Sequence, residues 1–278
     1  MATMATSDVD TAASPAGTMQ VNRLAGSLGA EVVGVDLTQP LDDETFAVIR
    51  QAFLDHQVIC IRGQQAMTSE DQLAFAARWG EIAIHPYVPS IDGYPGIMRI
   101  YDPNPITQTW HADTTHMKTP PALTILLSRI LPAVGGDTMF SNVYKVYESL
   151  SPGLQAVLEG MRAVHQGTAL ASQAGLDQQA VTTTHPAVRV HPDTGRKALF
   201  VNGNYVTRFE GWTEAESAPL LQYLYNQVGL AENTYRHRWQ TGDMVIWDNR
   251  CTQHAVVGDT AGAERVLHRV TIAGDVPV

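Results

Sequence analysis

Cysteine is scarce in this sequence, two among 278 residues, which leaves no material for a disulfide framework. Cys60 sits inside the apolar run "VICIR", so a buried thiol is expected, and with Cys251 it fits a reducing cytoplasmic setting. Positive charge is also short: 18 Lys and Arg stand against 28 Asp and Glu, a net charge of −10. With those basic residues scattered, neither a nucleic acid nor a membrane surface is expected as partner. A small anion gripped by one local arginine remains compatible. No apolar run approaches the roughly 18 to 20 residues of a bilayer-spanning helix. Residues 1–18 have neither the basic nor the apolar region of a secretory signal and read as a disordered tail. Residues 19–278 read as a single domain, uninterrupted by repeat or linker.

What is present is ordinary globular composition, 44% hydrophobic and 17% charged, cut into short apolar runs of period two. "EVVGV", "QVICIR", "GIMRIY", "LTILL", "AVRVH", "ALFVN", "DMVIWD" and "LHRVTI" all read as strands, with "HPDTGRK" as a hairpin turn. So many short strands predict a mainly β sandwich or barrel. Helices flank it. Phe46, Ile49, Phe53 and Leu54 share one face, and capping boxes are expected at Ser69 to Gln72 and Thr213 to Glu216.

Chemistry concentrates at "TWHADTT". On a strand, His111 and Asp113 face the same way and offer an imidazole nitrogen and a carboxylate oxygen to one point. Alone, His-x-Asp is a weak signal, since any half-buried strand can show it. Two histidines and one carboxylate form the set that iron(II) oxygenases use, and His254, at the end of a strand in "IWDNRCTQHAV", is a candidate third ligand. Thr138 in "GGDTMF" and Arg265 and Arg269 in "ERVLHRVT" add a hydroxyl and two guanidinium forks, which suit a carboxylate.

From about Gly29 onward, "LGAEVVGVDL", "WHADTTHMKTPPA", "LPAVGGDT", "HPDTGRKALFVN", "WDNRCTQH" and "RVLHRVT" resemble the TauD/TfdA family of Fe(II)- and 2-oxoglutarate-dependent dioxygenases. The resemblance implies a double-stranded β-helix, a cupin-like jelly-roll core with flanking helices. It implies iron(II) held by His111, Asp113 and His254, and 2-oxoglutarate held through its distal carboxylate by Thr138 and Arg265. Dioxygen is then the oxidant, and a small organic acid of sulfonate, alkyl sulfate or aryloxyalkanoate type is hydroxylated with release of succinate and CO2. Often C–S or C–O cleavage follows. Arg269 and His85 would meet the substrate, and the family often forms dimers or tetramers.

The substrate pocket departs from that of taurine dioxygenases. Val88 stands where a tyrosine helps hold the sulfonate, Thr107 where an asparagine lies, and Tyr205 replaces a phenylalanine. Leu170 and Ala171 replace an aromatic wall, which points to a larger, more apolar acid; the stretch from "RKALFVN" to "LLQYLY" leans toward aryloxypropionate enzymes. His116, Trp110, Trp247, Asp137 and His268 read as structural. Other classes stay open: a non-catalytic jelly-roll binding module, a zinc hydrolase on the same triad, or a hydroxylase of another carboxylic or amino acid.

Overall fold

The computed structural model describes residues 19–84, 88–104, 108–167 and 181–278. The expected N-terminal tail, His85, Thr107, Leu170 and Ala171 lie outside the described residues.

Strands β1 (Gln20–Arg23) and β2 (Ala30–Val33) lead into helix α1 (Asp43–His56), followed by β3 (Val58–Ile61) and α2 (Ser69–Ala77). Next come β4 (Ser90–Ile91), β5 (Tyr94–Tyr101), β6 (Leu123–Ile130) and β7 (Thr138–Asn142), then α3 (Val143–Glu148) and α4 (Pro152–Glu159). Four further strands follow: β8 (Arg162–Gln166), β9 (Thr182–Pro186), β10 (Val188–Val190) and β11 (Lys197–Leu199). The last part holds β12 (Val206–Phe209), α5 (Glu214–Val228), β13 (Thr234–His237), β14 (Met244–Asp248), β15 (Thr252–Val256) and β16 (Val266–Ile272).

An eight-stranded sheet runs β1-β2-β3-β14-β6-β16-β5-β4, antiparallel except for the β2/β3 pair. Across one face lies the smaller sheet β13-β7-β15. Phe140 of β7 meets Leu126, Val245, Trp247 and Leu267 of the large sheet in a buried apolar layer. Two largely antiparallel sheets packed on such a layer form the mainly β sandwich that the period-two runs predict, in the jelly-roll form that the family resemblance implies. The hairpin at "HPDTGRK" is present, pairing Val188 with Leu199 and Val190 with Lys197.

Helices α1 and α2 cover the other face of the large sheet. Ile49, Ala52 and Phe53 of α1 and Phe75 and Ala76 of α2 pack on Ile59, Ile97, Ile125 and Val270. Each fully buried large apolar side chain contributes about 1.5–3 kcal/mol. Asp42 caps α1 by accepting from Thr45 N–H at 2.7 Å. The capping box of α2 forms one residue earlier than the sequence suggests. Thr68, not Ser69, is its N-cap, exchanging bonds with Asp71, while Gln72 is fully buried and donates to His268 O. An acid at the third helical position serves the cap, and the amide one residue on points at the sheet instead. The box at Thr213 and Glu216 is present on α5.

Candidate active site

The turn after β14 brings the chain back as β15, and His254 lies within that strand rather than at its end. The stretch "TWHADTT" is not a strand but a bridge and a turn: His111 makes one isolated antiparallel bridge with His254. His111 N–H donates to His254 O at 3.1 Å, and His254 N–H donates to His111 O at 2.7 Å. The chain then turns at Thr114, whose φ is +40°, so Asp113 reaches the same point from a turn and not from a strand. The three side chains are buried, and one potential ligand atom of each lies within 4.8 Å of the others.

Their protonation suits a cation. Burial depresses the basicity of His111 and, more strongly, of His254, so both rings stay neutral. His111 Nδ1 lies 2.9 Å from Thr109 O, an acceptor only, so Nδ1 carries the hydrogen and Nε2 keeps its lone pair. For Asp113, burial pushes upward, but the Arg269 guanidinium above all, helped by the Thr124 hydroxyl, outweighs it and holds the carboxyl well below the usual range. Arg269 Nη2 and Thr124 Oγ1 each lie 2.7 Å from Asp113 Oδ2, while Oδ1 faces His254 Nε2 at 3.8 Å.

A second polar group sits in the same interior. Arg265 is 2% exposed, donates through Nε to Gly136 O at 3.1 Å and faces the Trp239 ring at 5.9 Å. Its Nη2 is buried without a hydrogen-bond partner, and no ion pair reaches it among the described residues. Gly136 makes the cradle: with φ at +70°, a Cβ there would stand 3.0 Å from Arg265 Cδ. Thr138, at the start of β7, accepts from Trp239 Nε1 at 3.0 Å, so its own hydroxyl hydrogen is free to be donated.

Tyr205 is buried with its ring centroid 6.5 Å from that of His111 and 5.1 Å from that of His116, and burial pushes its hydroxyl up to about 12. Arg269 is already paired with Asp113, with Thr271 and Thr124 hydroxyls at 3.3 and 3.4 Å. Val88 lies just before β4 and is exposed. The structural readings of the neighbours stand in the geometry. Trp247 packs on the His254 ring at 4.7 Å, and His268 faces Arg129 on the α2 side of the sheet. His116 is buried. Asp137 does more than turn the chain, since it takes Arg236 Nε at 2.7 Å. Thr124, Trp239 and Asn249 escape a reading by residue type; only the "WDN" run hints at Asn249, as a polar residue ending a buried strand.

The sequence matches the taurine catabolism dioxygenase TauD, TfdA family over residues 20–271. The chain belongs to that family. Among curated TauD/TfdA relatives, an alkylsulfatase of Acinetobacter baylyi is 36% identical over 94% of this chain and 87% of its own. An alpha-ketoglutarate-dependent sulfate ester dioxygenase of Pseudomonas putida is 37% identical over 94% and 91%. The crystal structure of a taurine dioxygenase from Burkholderia xenovorans superposes with a TM-score of 0.85, at 37% identity, over 94% of this chain and 91% of that one. This agreement extends to the jelly-roll expected for the TauD/TfdA fold.

Proposed function

We propose that this TauD/TfdA member is a 2-oxoglutarate-dependent dioxygenase that hydroxylates a small organic acid, with alkyl sulfate esters as its first substrate class. The observation that carries the reading is Arg265: a buried guanidinium with an unpartnered Nη2, facing the Trp239 ring that bonds Thr138 on the strand paired with that of His254, itself part of a buried His-Asp-His cluster. An unpaired interior cation costs several kcal/mol, and a carboxylate ligand relieves that cost. Thr138, with its hydroxyl hydrogen free, donates to the same carboxylate. These two residues would hold the distal end of 2-oxoglutarate, while His111, Asp113 and His254 would hold iron(II).

The donor set fits that metal: two neutral imidazoles and one carboxylate, the set that leaves three positions open. Bound iron supplies dioxygen activation, coupling decarboxylation of 2-oxoglutarate to succinate with hydroxylation of a substrate C–H bond. The chain's own part is placement and charge. Tyr205 and His116 wall the space beside His111. Arg269 balances Asp113 and presents its guanidinium to the substrate's anion, and that contact decides which C–H bond is presented. Hydroxylation at the carbon bearing a sulfate ester gives a hemiacetal sulfate, which collapses to an aldehyde and expels sulfate. The Acinetobacter baylyi and Pseudomonas putida relatives favour this sulfate chemistry over the aryloxypropionate leaning of "RKALFVN".

The test is succinate formation from 2-oxoglutarate with added iron(II), across alkyl sulfates, alkylsulfonates, taurine and both aryloxypropionate enantiomers. Alkyl sulfates should stimulate turnover and release sulfate in equal amount. Stimulation by sulfonates or aryloxypropionates alone would move the substrate class, and stimulation by none would favour the non-catalytic module. Sulfate release without oxygen would favour the zinc hydrolase.

A further inference from the structure

Asn249 opens the turn that follows β14, next after Asp248; it is buried, with its backbone N–H on Ala122 O at 2.9 Å. Its side-chain oxygen receives two obligate donors, Trp247 Nε1–H at 3.0 Å and Asp113 N–H at 3.2 Å. Neither group can accept, so the amide orientation is fixed and Nδ2 must face the other way. There it donates to Thr124 Oγ1 at 3.0 Å. Thr124 has a single hydroxyl hydrogen. With its oxygen already receiving from Asn249, that hydrogen goes to Asp113 Oδ2, at 2.7 Å. Arg269 reaches the same oxygen at 2.7 Å. Oδ2 is therefore held by two donors, and Oδ1, toward His254, is the oxygen left over.

We infer that Asn249, acting through Thr124, is a positioning residue that fixes which oxygen of Asp113 meets the metal and makes that carboxylate a one-oxygen ligand. Asn249 also holds the Asp113 backbone and the Trp247 ring, so one amide ties the turn bearing Asp113 to the strand end that leads to His254. The inference rests on the metal reading of the triad under Proposed function. Outer partners that orient a ligand are typically worth about 10- to 100-fold in metal affinity.

The experiment titrates cobalt(II), as the metal alone, into the metal-free full chain and follows its visible absorption, which reports coordination number and geometry. It compares the wild type with His111→Ala, Thr124→Val, Thr124→Ser, Asn249→Leu and the Thr124→Val/Asn249→Leu double variant. Thermal unfolding of each metal-free variant establishes that it folds. The wild type should bind and His111→Ala should not. Thr124→Val and Asn249→Leu should bind about 10- to 100-fold more weakly with an altered spectrum, and Thr124→Ser, which keeps the hydroxyl, should match the wild type. The double variant should be little worse than the weaker single one, because both act along one chain of bonds. Wild-type affinity and spectrum in folded Thr124→Val and Asn249→Leu would overturn the positioning role while leaving the metal site standing. Equal loss in Thr124→Ser would also overturn it. A wild type that binds no more cobalt than His111→Ala would overturn the metal reading and this inference together.

Discussion

At Arg265 the interior holds a guanidinium whose Nη2 has no partner. Replacing it with methionine removes both the buried charge and the grip on a carboxylate. Arg265→Met should therefore leave the ligand-free protein as stable as the wild type or more so, yet weaken 2-oxoglutarate binding about 100-fold or more. Parallel thermal melts and titration calorimetry check it; undiminished affinity would remove Arg265 from the site. His165 gives a pH prediction. Burial, then His185 and His116, lower it to about 3, with Nδ1 on Thr115 Oγ1. In the unfolded chain it titrates near the ordinary value of about 6.5. As pH falls below that, the unfolded state takes the proton first, so stability declines from pH 6.5 toward about 3. Urea melts of metal-free protein at pH 7 and 5 should show a loss that His165→Asn reduces by about 2 kcal/mol. Equal slopes would contradict it. At this scale the ionisable residues were legible, because His, Asp and Arg stand out by type. Thr124 and Trp239 were not, since a threonine on an apolar strand and a lone tryptophan signal only packing.

The turn between β14 and β15 is an element-scale device. Asp248 accepts Arg250 N, Nε and Nη2 at 2.9, 2.8 and 2.7 Å, and His191 Nε2 at 2.9 Å. Burial pushes this carboxyl up, but Arg250 and His191 hold it well below the usual range. Asp248→Ala leaves buried Arg250 with only its pair to Asp193 at 2.8 Å and His191 Nε2 without its acceptor, and should cost about 3–5 kcal/mol in urea unfolding. A loss near that of a surface pair, about 0–1 kcal/mol, would mean the turn does not depend on it. The turn at Gly136 is equally specific. Gly136→Ala forces a left-handed backbone strained by about 1–2 kcal/mol and crowds Arg265, so 2-oxoglutarate affinity should fall with stability. Unchanged affinity would show that Arg265 is placed by other contacts. Strands with apolar alternation were readable. Short polar ones, such as β13 with "TYRH", were not, because pairing with β7 makes them and no burial pattern marks them. The same limit misplaced "HAD" on a strand: a one-residue bridge and a turn have no periodicity to show.

Across the whole molecule, antiparallel closure carries His254 back to His111 and pairs its strand with β7, which begins at Thr138, while Trp239 links Thr138 to Arg265. The order of motifs gave that constellation away; the distances come only from sheet register, which pairs β15 with β7 and β16 with β6. The central claim is that this arrangement couples dioxygen to 2-oxoglutarate. Its most direct test is turnover under ¹⁸O₂ with an alkyl sulfate, reading the succinate by mass spectrometry. One labelled oxygen per succinate, lost with turnover in His111→Ala, is the predicted result. Product formed with unlabelled succinate, or formed equally without oxygen, would contradict the account.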